Sequence, residues 1–172
     1  MGGNNMSNPK VAIVMGSDSD FDKLKGCIKV LKRFNIEVDV NVISAHRTPE
    51  QAEQFAKSAE ENGIEVIIAA AGKAAHLGGV LAAFTTLPVI GVPIKSSTMD
   101  GMDSLLSMVQ MPKGIPVATV AIDGGDNAGI LAAQMLSLKY DSLKAQLKQF
   151  KKEMAEEVLR KNEKIKAEAA EL

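Results

Sequence analysis

The sequence predicts an α/β fold, a three-layer α/β/α sandwich with a central, mostly parallel five-stranded sheet and a long C-terminal helix. Three observations predict it. Apolar runs of five or six residues alternate with stretches of helical spacing, the pattern of strand-helix-strand units. Most of these runs are rich in Val, Ile and Ala at every position, as strands covered on both faces are. The chain has 172 residues, enough for one domain with one buried core.

Lys10 to Met15 reads as the first strand, closed by Gly16, and Asp22 to Phe34 as the first helix. Glu37 to Ile43 alternates, with Val38, Val40 and Val42 on one face, and is the second strand. Thr48-Pro49-Glu50-Gln51 is a capping box with proline at the first helical position, so a second helix follows. Glu65 to Ala70 is a third strand, Ala74 to Phe84 an Ala-rich helix, and Leu87 to Val92 a fourth strand. Val117 to Ile122 is the fifth, ahead of a helix from about Asn127 to Leu138. From Tyr140 to about residue 170 the chain is one charged helix, with Leu143, Leu147, Phe150, Met154 and Val158 three and four apart. That stripe needs a surface, either its own domain or a neighbouring subunit. The expected strand order is flavodoxin-like. Residues 1–9 read as a disordered or tag-like start, and residues 10–172 as a single catalytic domain.

Composition excludes several function classes. The 20 basic and 21 acidic residues leave a net charge of −1, which provides no field for a polyphosphate backbone. Aromatic residues are 3% of the chain and Trp is absent, so stacking platforms for single strands are missing too. A small molecule is the expected partner, with no nucleic acid and no membrane. Met1 to Asn8 carries no basic segment followed by an apolar run, and no apolar stretch reaches the roughly 18 residues of a membrane span. A cytoplasmic protein is expected. The single cysteine, Cys27, lies within a helical pattern and reads as a structural thiol.

In an open parallel sheet, ligands bind where the carboxyl ends of the strands meet their following loops. Those loops are Gly16-Ser17-Asp18-Ser19-Asp20, Ser44-Ala45-His46-Arg47-Thr48 and Gly72-Lys73-Ala74-Ala75-His76, so both histidines of the chain fall on one rim. Gly16 and Ser17 suit an anion at a helix start, although the loop by itself favours Ser17 or Ser19 as a plain helix cap. Asp20 suits ribose hydroxyls or a first helical turn. One glycine stands where a dinucleotide fingerprint needs three, and no GxxxxGK[ST] occurs, so NAD and ATP are not expected. Arg47 sets a fork-shaped cation beside His46, a side chain of the type that moves protons near neutral pH. Ala69 to Gly72, Ala74, Ala75 and Leu77 around His76 make either a narrow, water-poor pocket wall or a tight helix–sheet contact. The segment 96–112 is longer than an ordinary connection, as segments that complete a site are, a neighbour's site included.

Gly16-Ser17 with Ser19-Asp20, the block Ser44-Ala45-His46-Arg47-Thr48-Pro49, Ala74-Ala75-His76-Leu77, and Asp103-Ser104-Leu105-Leu106-Ser107 with Val109-Gln110-Met111-Pro112 are in one order along Lys10 to Leu138. Together they resemble the PurE family of N5-carboxyaminoimidazole ribonucleotide mutases. The resemblance implies an α/β/α fold, a homo-octamer whose C-terminal helix reaches neighbours, and no metal or organic cofactor. It implies a ribonucleotide substrate whose carboxyl group moves from an exocyclic nitrogen to ring carbon four, in purine biosynthesis. It also implies that Ser17 and Arg47 hold the phosphate, Asp20 the ribose, and that His46 is the general acid/base. His76 matches a second pocket histidine near the carboxyl group, and Ser44, Ala45, Gly72, Ala74 and Ala75 match wall positions; Gly16, Lys73 and Leu77 complete the expected substrate contacts.

The chain departs from many members at Lys73, where they have Gly, and at Gly78, where they have Pro; Lys73 then either meets the substrate carboxylate or faces solvent. Two rivals stand beside the mutase. One is a direct carboxylase of aminoimidazole ribonucleotide, a class that tends to lack the Ala-Ala-His-Leu pattern present here. The other is a non-catalytic nucleotide-binding module in which both histidines are structural.

Overall fold

The first apolar run, Lys10–Met15 (β1), pairs in parallel with Glu37–Val42 (β2) on one side and with Val66–Gly72 (β3) on the other. Val89–Ile94 (β4) continues the sheet beyond β3, and Ala118–Thr119 (β5) closes the far edge, both again parallel. The order is therefore β2-β1-β3-β4-β5, the flavodoxin-like order expected. The computed structural model describes residues 8–172, and residues 1–7 of the start expected to be disordered or tag-like lie outside the described residues.

The helices are Phe21–Arg33 (α1), Pro49–Ser58 (α2), Leu77–Phe84 (α3), Met102–Val109 (α4), Gly125–Leu136 (α5) and Asp141–Ala170 (α6). Alternation within β1 assigns them to faces. Val11, Ile13 and Met15 pack with Leu24, Cys27 and Leu31 of α1 and with Ala128, Ala132 and Ala133 of α5. Ala12 and Val14 pack instead with Ala52 and Ala56 of α2, Leu77 and Leu81 of α3 and Met108 of α4. Two apolar layers thus sandwich one sheet, because successive strand side chains point to opposite faces.

Local chemistry explains the boundaries. Asn35 ends α1 in the left-handed region at φ 56°, where Asn is tolerated; its N–H donates to Lys32 O and that of Ile36 to Leu31 O, the paired bonds of a Schellman stop. The fifth strand shrinks from the expected Val117–Ile122 to two residues. Beyond it, the Asp123 N–H donates to Pro93 O at 2.8 Å, and the Asp123 carboxylate accepts from the Lys95 N–H at 2.9 Å. The same carboxylate pairs with Lys23 Nζ at 2.8 Å. Burial acts to raise this carboxyl, but the Lys23 ammonium and the Lys95 amide hold it below its ordinary value. The early end of β5 also accounts for a proline at position 93. Its ring nitrogen faces the β5 side, where the ladder has already stopped, so no sheet hydrogen bond is lost.

Gly125 opens α5 where it meets α1: a Cβ there would lie 2.8 Å from Lys23 O. Cys27 sits in the same contact and is fully buried. Burial, with the nearby Asp126 charge, pushes its thiol up to about 12, as befits a structural cysteine.

Of the two surfaces expected for the last helix, its own domain takes the first half. Leu143 is buried, and Leu147 and Phe150 pack against the α1–α5 layer. Phe150 meets Phe34 edge to face, with centroids 5.7 Å apart, and lies under Arg33, which pairs with Glu153. Tyr140 Oη and Lys139 Nζ each donate to Glu65 at 2.6 Å, tying the helix entrance to the start of β3. From Met154 onward the helix, about 45 Å long at 1.5 Å per residue, outruns the domain and leaves Val158, Leu159 and Ile165 exposed.

Gly125→Ala is expected to lower the free energy of unfolding by about 1–3 kcal/mol, read from the urea midpoint, since helix and strand layers must part to admit the methyl. Iodoacetamide in mildly alkaline buffer is expected to leave Cys27 unmodified in the native protein and to alkylate it in urea; rapid native labelling would contradict the buried thiol.

Candidate active site

The tips of three adjacent strands, β2, β1 and β3, form the site. After β1, the Gly16 N–H donates to Ala70 O at 3.1 Å, and the chain enters a single 3-10 turn, Asp18–Asp20. Ser17 caps that turn, its Oγ receiving the Ser19 N–H at 3.4 Å and the Ser19 hydroxyl at 3.0 Å. Asp20 is half-buried at the end of the turn. Burial raises its carboxyl above the ordinary value, the Ser19 hydroxyl partly offsets this, and the charges of Asp123 and Asp18 raise it further.

After β2 the chain turns at Ala45–Arg47 before Pro49 starts α2. The capping box expected here does not form. Thr48 makes no side-chain cap; its hydroxyl donates to Ser44 O at 2.9 Å and accepts from the Ser44 N–H at 3.1 Å, which closes the loop on itself. A five-residue turn that must present His46 engages the threonine oxygen that an isolated helix would have used. Arg47 is fixed at the junction of two loops: its backbone N–H and its Nε each donate to Ser44 Oγ at 3.2 Å, and Nη2 donates to Gly16 O at 3.1 Å.

After β3, Lys73 adopts φ 54°, and the His76 N–H donates to Ala74 O at 2.9 Å just before α3 begins at Leu77. The helix starts three residues later than the Ala-rich pattern suggested, which leaves residues 73–76 as irregular backbone on the rim. His46 Nε2 and His76 Nδ1 stand 2.8 Å apart, their rings nearly perpendicular at 80°. Sequence reasoning had put the histidines on one rim; their direct contact is a product of the turn geometry on each side.

These tips enclose a hollow of about 690 Å³, the size range of small-ligand sites. Gly16, Ser17, Asp20, Ser44, Ala45, His46, Arg47, Gly72, Lys73, Ala74, His76 and Leu77 all line it. Ala75, the remaining expected contact, does not. It is 1% exposed and packs with Ala52, Ala56 and Leu81 in the core below α2 and α3. The alternative of tight helix–sheet packing therefore holds for Ala75, while Ala74 faces the hollow. Nor is the wall closed: His46 and His76 are exposed in the single chain, so the narrow, water-poor pocket expected is here an open bowl.

The tip of β4 supplies Ile94, Lys95 and Ser96, which the strand reading left out by ending at Val92. The strand continues through Pro93 because β5 ends early, which lets a proline stay in register. The segment 96–112 also contains α4, held to β4 by the fully buried Ser104, whose Oγ lies 2.8 Å from Ile94 O. Ser96 Oγ donates to the Asp103 carboxylate at 3.0 Å. Among the described residues no three His, Cys, Asp or Glu side chains group closely enough to hold a metal ion, and no helix is long and apolar enough to cross a membrane.

Comparison with known proteins points to one family. The family model described as AIR carboxylase matches residues 10–157. Over 146 residues the chain is 60% identical to the N5-carboxyaminoimidazole ribonucleotide mutase of Pyrococcus abyssi, covering 85% of this chain and 84% of that one. It is 54% identical over 157 residues to the protein of that name from Thermotoga maritima, covering 91% and 92%. Among solved structures, Treponema denticola PurE superposes with a TM-score of 0.83 at 30% identity, over 91% of this chain and 98% of that one.

The raised Asp20 carboxyl has a consequence for stability. A folded value above the unfolded one means that stability is fully present below the unfolded pKa and falls as pH rises through the folded one. Asp20→Asn is therefore expected to melt higher than the parent at neutral pH, with the gain fading as pH drops below the ordinary carboxylate range. An unchanged melting temperature at neutral pH would show that Asp20 carries no such burden.

Proposed function

The chain belongs to the AIR carboxylase family, and on that premise we propose that its strand-tip hollow is the active site of an N5-carboxyaminoimidazole ribonucleotide mutase. The enzyme is an isomerase of purine biosynthesis, converting its substrate to 4-carboxy-5-aminoimidazole ribonucleotide. The single observation that carries the site assignment is the His46–His76 pair, 2.8 Å apart, on the rim of a nucleotide-sized hollow that Ser17 and Arg47 also line.

The roles follow from chemistry. Ser17 and the Arg47 guanidinium take the phosphate, and Asp20 accepts from ribose hydroxyls, for which its strained burial is the preorganisation. His46 is the proton carrier. The N–C bond of the carbamate breaks with its electron pair left on nitrogen, which takes a proton from His46 as carbon dioxide departs. The electron-rich ring carbon four then attacks the carbon dioxide, and the proton displaced from that carbon returns to His46. One proton has moved from carbon to nitrogen, and no group is consumed. Holding carbon dioxide beside the ring makes recapture effectively intramolecular. His76 lies beside the migrating carboxyl group and, through its contact with His46, sets the orientation of that ring. Ser44 supports Arg47, and Gly16, Ala45, Gly72, Ala74 and Leu77 shape the wall.

The chemistry assigned to these residues calls for no metal or organic cofactor. The open bowl calls for a cover, and a homo-octamer would supply one. Two features support this: apolar Val158, Leu159 and Ile165 on the outer half of α6, and exposed Met99, Met102, Leu106 and Val109 along the segment that would complete a neighbour's site. A cytoplasmic location accords with a lone buried thiol.

His46→Asn is expected to bind the product nucleotide with near-parental affinity in calorimetry while turnover falls by about 10²–10⁴-fold; near-normal turnover would remove His46 from the mechanism. The direct carboxylase is separated by substrate: product from the N5-carboxylated nucleotide supports the mutase, whereas product only from aminoimidazole ribonucleotide with bicarbonate would replace it. A nucleotide-binding module would bind and convert neither.

A further inference from the structure

Four residues other than glycine adopt positive φ among those described: Asn35, Lys73, Asp100 and Asp123. Asn and Asp tolerate the left-handed region because their short polar side chains bond to nearby backbone. Asp123 does so visibly, through the Lys95 N–H. Lys73 has no such compensation. Its long side chain offers the turn nothing that glycine would not offer better, so its presence is not explained by the fold.

Its position suggests what does explain it. Lys73 is exposed, lines the hollow, and stands on the same irregular stretch as His76. The other cations of the hollow are engaged: Arg47 with Gly16 O and Ser44 Oγ, and Lys95 with Asp100 at 3.4 Å. Among the described residues Lys73 forms neither a hydrogen bond nor an ion pair. A cation without a partner, held at the lip of a nucleotide site by a backbone that disfavours it, is placed to receive an anion that arrives with the ligand.

We propose that Lys73 binds the migrating carboxylate of the ribonucleotide, a specificity contact that rests on the mutase reading above. Ser17 follows β1 and Arg47 follows β2, while Lys73 shares the β3 tip with His76, the residue assigned to the migrating carboxyl group, so the ligand's second anion has a cation of its own. The carboxyl group is charged on nitrogen and charged again on carbon, but neutral as carbon dioxide between. Lys73 therefore grips substrate and product more firmly than the intermediate, and its removal acts on KM rather than on kcat.

Two substitutions separate charge from strain. Lys73→Met removes the charge and keeps the Cβ; Lys73→Gly removes both. Each is expected to weaken binding of 4-carboxy-5-aminoimidazole ribonucleotide roughly tenfold, to leave uncarboxylated aminoimidazole ribonucleotide within about twofold, and to raise KM with kcat unchanged or higher. Only Lys73→Gly should raise the melting temperature, by roughly 2–4 °C. Equal losses for both nucleotides would mean that the phosphate is the anion, and no loss for either would leave Lys73 in solvent; either result overturns the assignment. Wild-type protein that turns the substrate over while Lys73→Met binds both nucleotides as before overturns this assignment alone. A wild type that binds neither nucleotide overturns the mutase reading and this one with it.

Discussion

Every strand of this sheet runs the same way, and the site follows from that constraint. A right-twisted strand followed by a helix returns to the sheet in parallel, so each strand ends on the same rim and each following loop begins there. The order β2-β1-β3 puts the first three of those loops side by side, at the point where the chain, having gone one way from β1, crosses back to the other side. Gly16–Asp20, Ser44–Thr48 and Gly72–His76 are 30 or so residues apart in sequence and adjacent in space for this reason. No long-range side-chain interaction is needed to bring them together. The main-chain ladder does it, through the register Met15↔Val42 and Met15↔Ala70.

Once the loops are adjacent, their fine geometry is set by polar contacts that run between neighbouring tips. Arg47 reaches Gly16 O, His46 reaches His76, and Asp123 holds the end of β4. These contacts carry costs that the rest of the molecule offsets. Asp20 is a carboxyl that burial disfavours when charged, and Lys73 occupies left-handed backbone at about 1–2 kcal/mol. The offset comes from well below the rim, where β1, β3 and β4 are buried on both faces and α1 approaches α5 closely enough to require glycine. The division is spatial: apolar order in the sheet, and polar strain at its carboxyl edge.

The C-terminal helix shows the same division along one element. Its first half is part of the domain, through Leu143, Leu147 and Phe150; its second half is exposed. Apolar residues are exposed on that half and on α4 alike, and the histidines of the strand-tip hollow face solvent in the single chain.

What the sequence determined by itself was whatever depends on local pattern. Strands of continuous Val, Ile and Ala, the first helix, the long terminal helix and the polar character of the three loops all follow from spacing and residue type, which act over a few neighbours. The SAHRTP block and its companions pointed to the family. Tertiary structure decided whatever depends on a partner distant in the chain. Thr48 gives up its cap and bonds to Ser44; β4 runs through Pro93 because β5 stops; Ala75 leaves the site for the core, and Ala74 stays. The contact between His46 and His76, with thirty residues between them, belongs to this second class, because two imidazoles come within hydrogen-bond reach only when two separately folded turns are fixed on neighbouring strands.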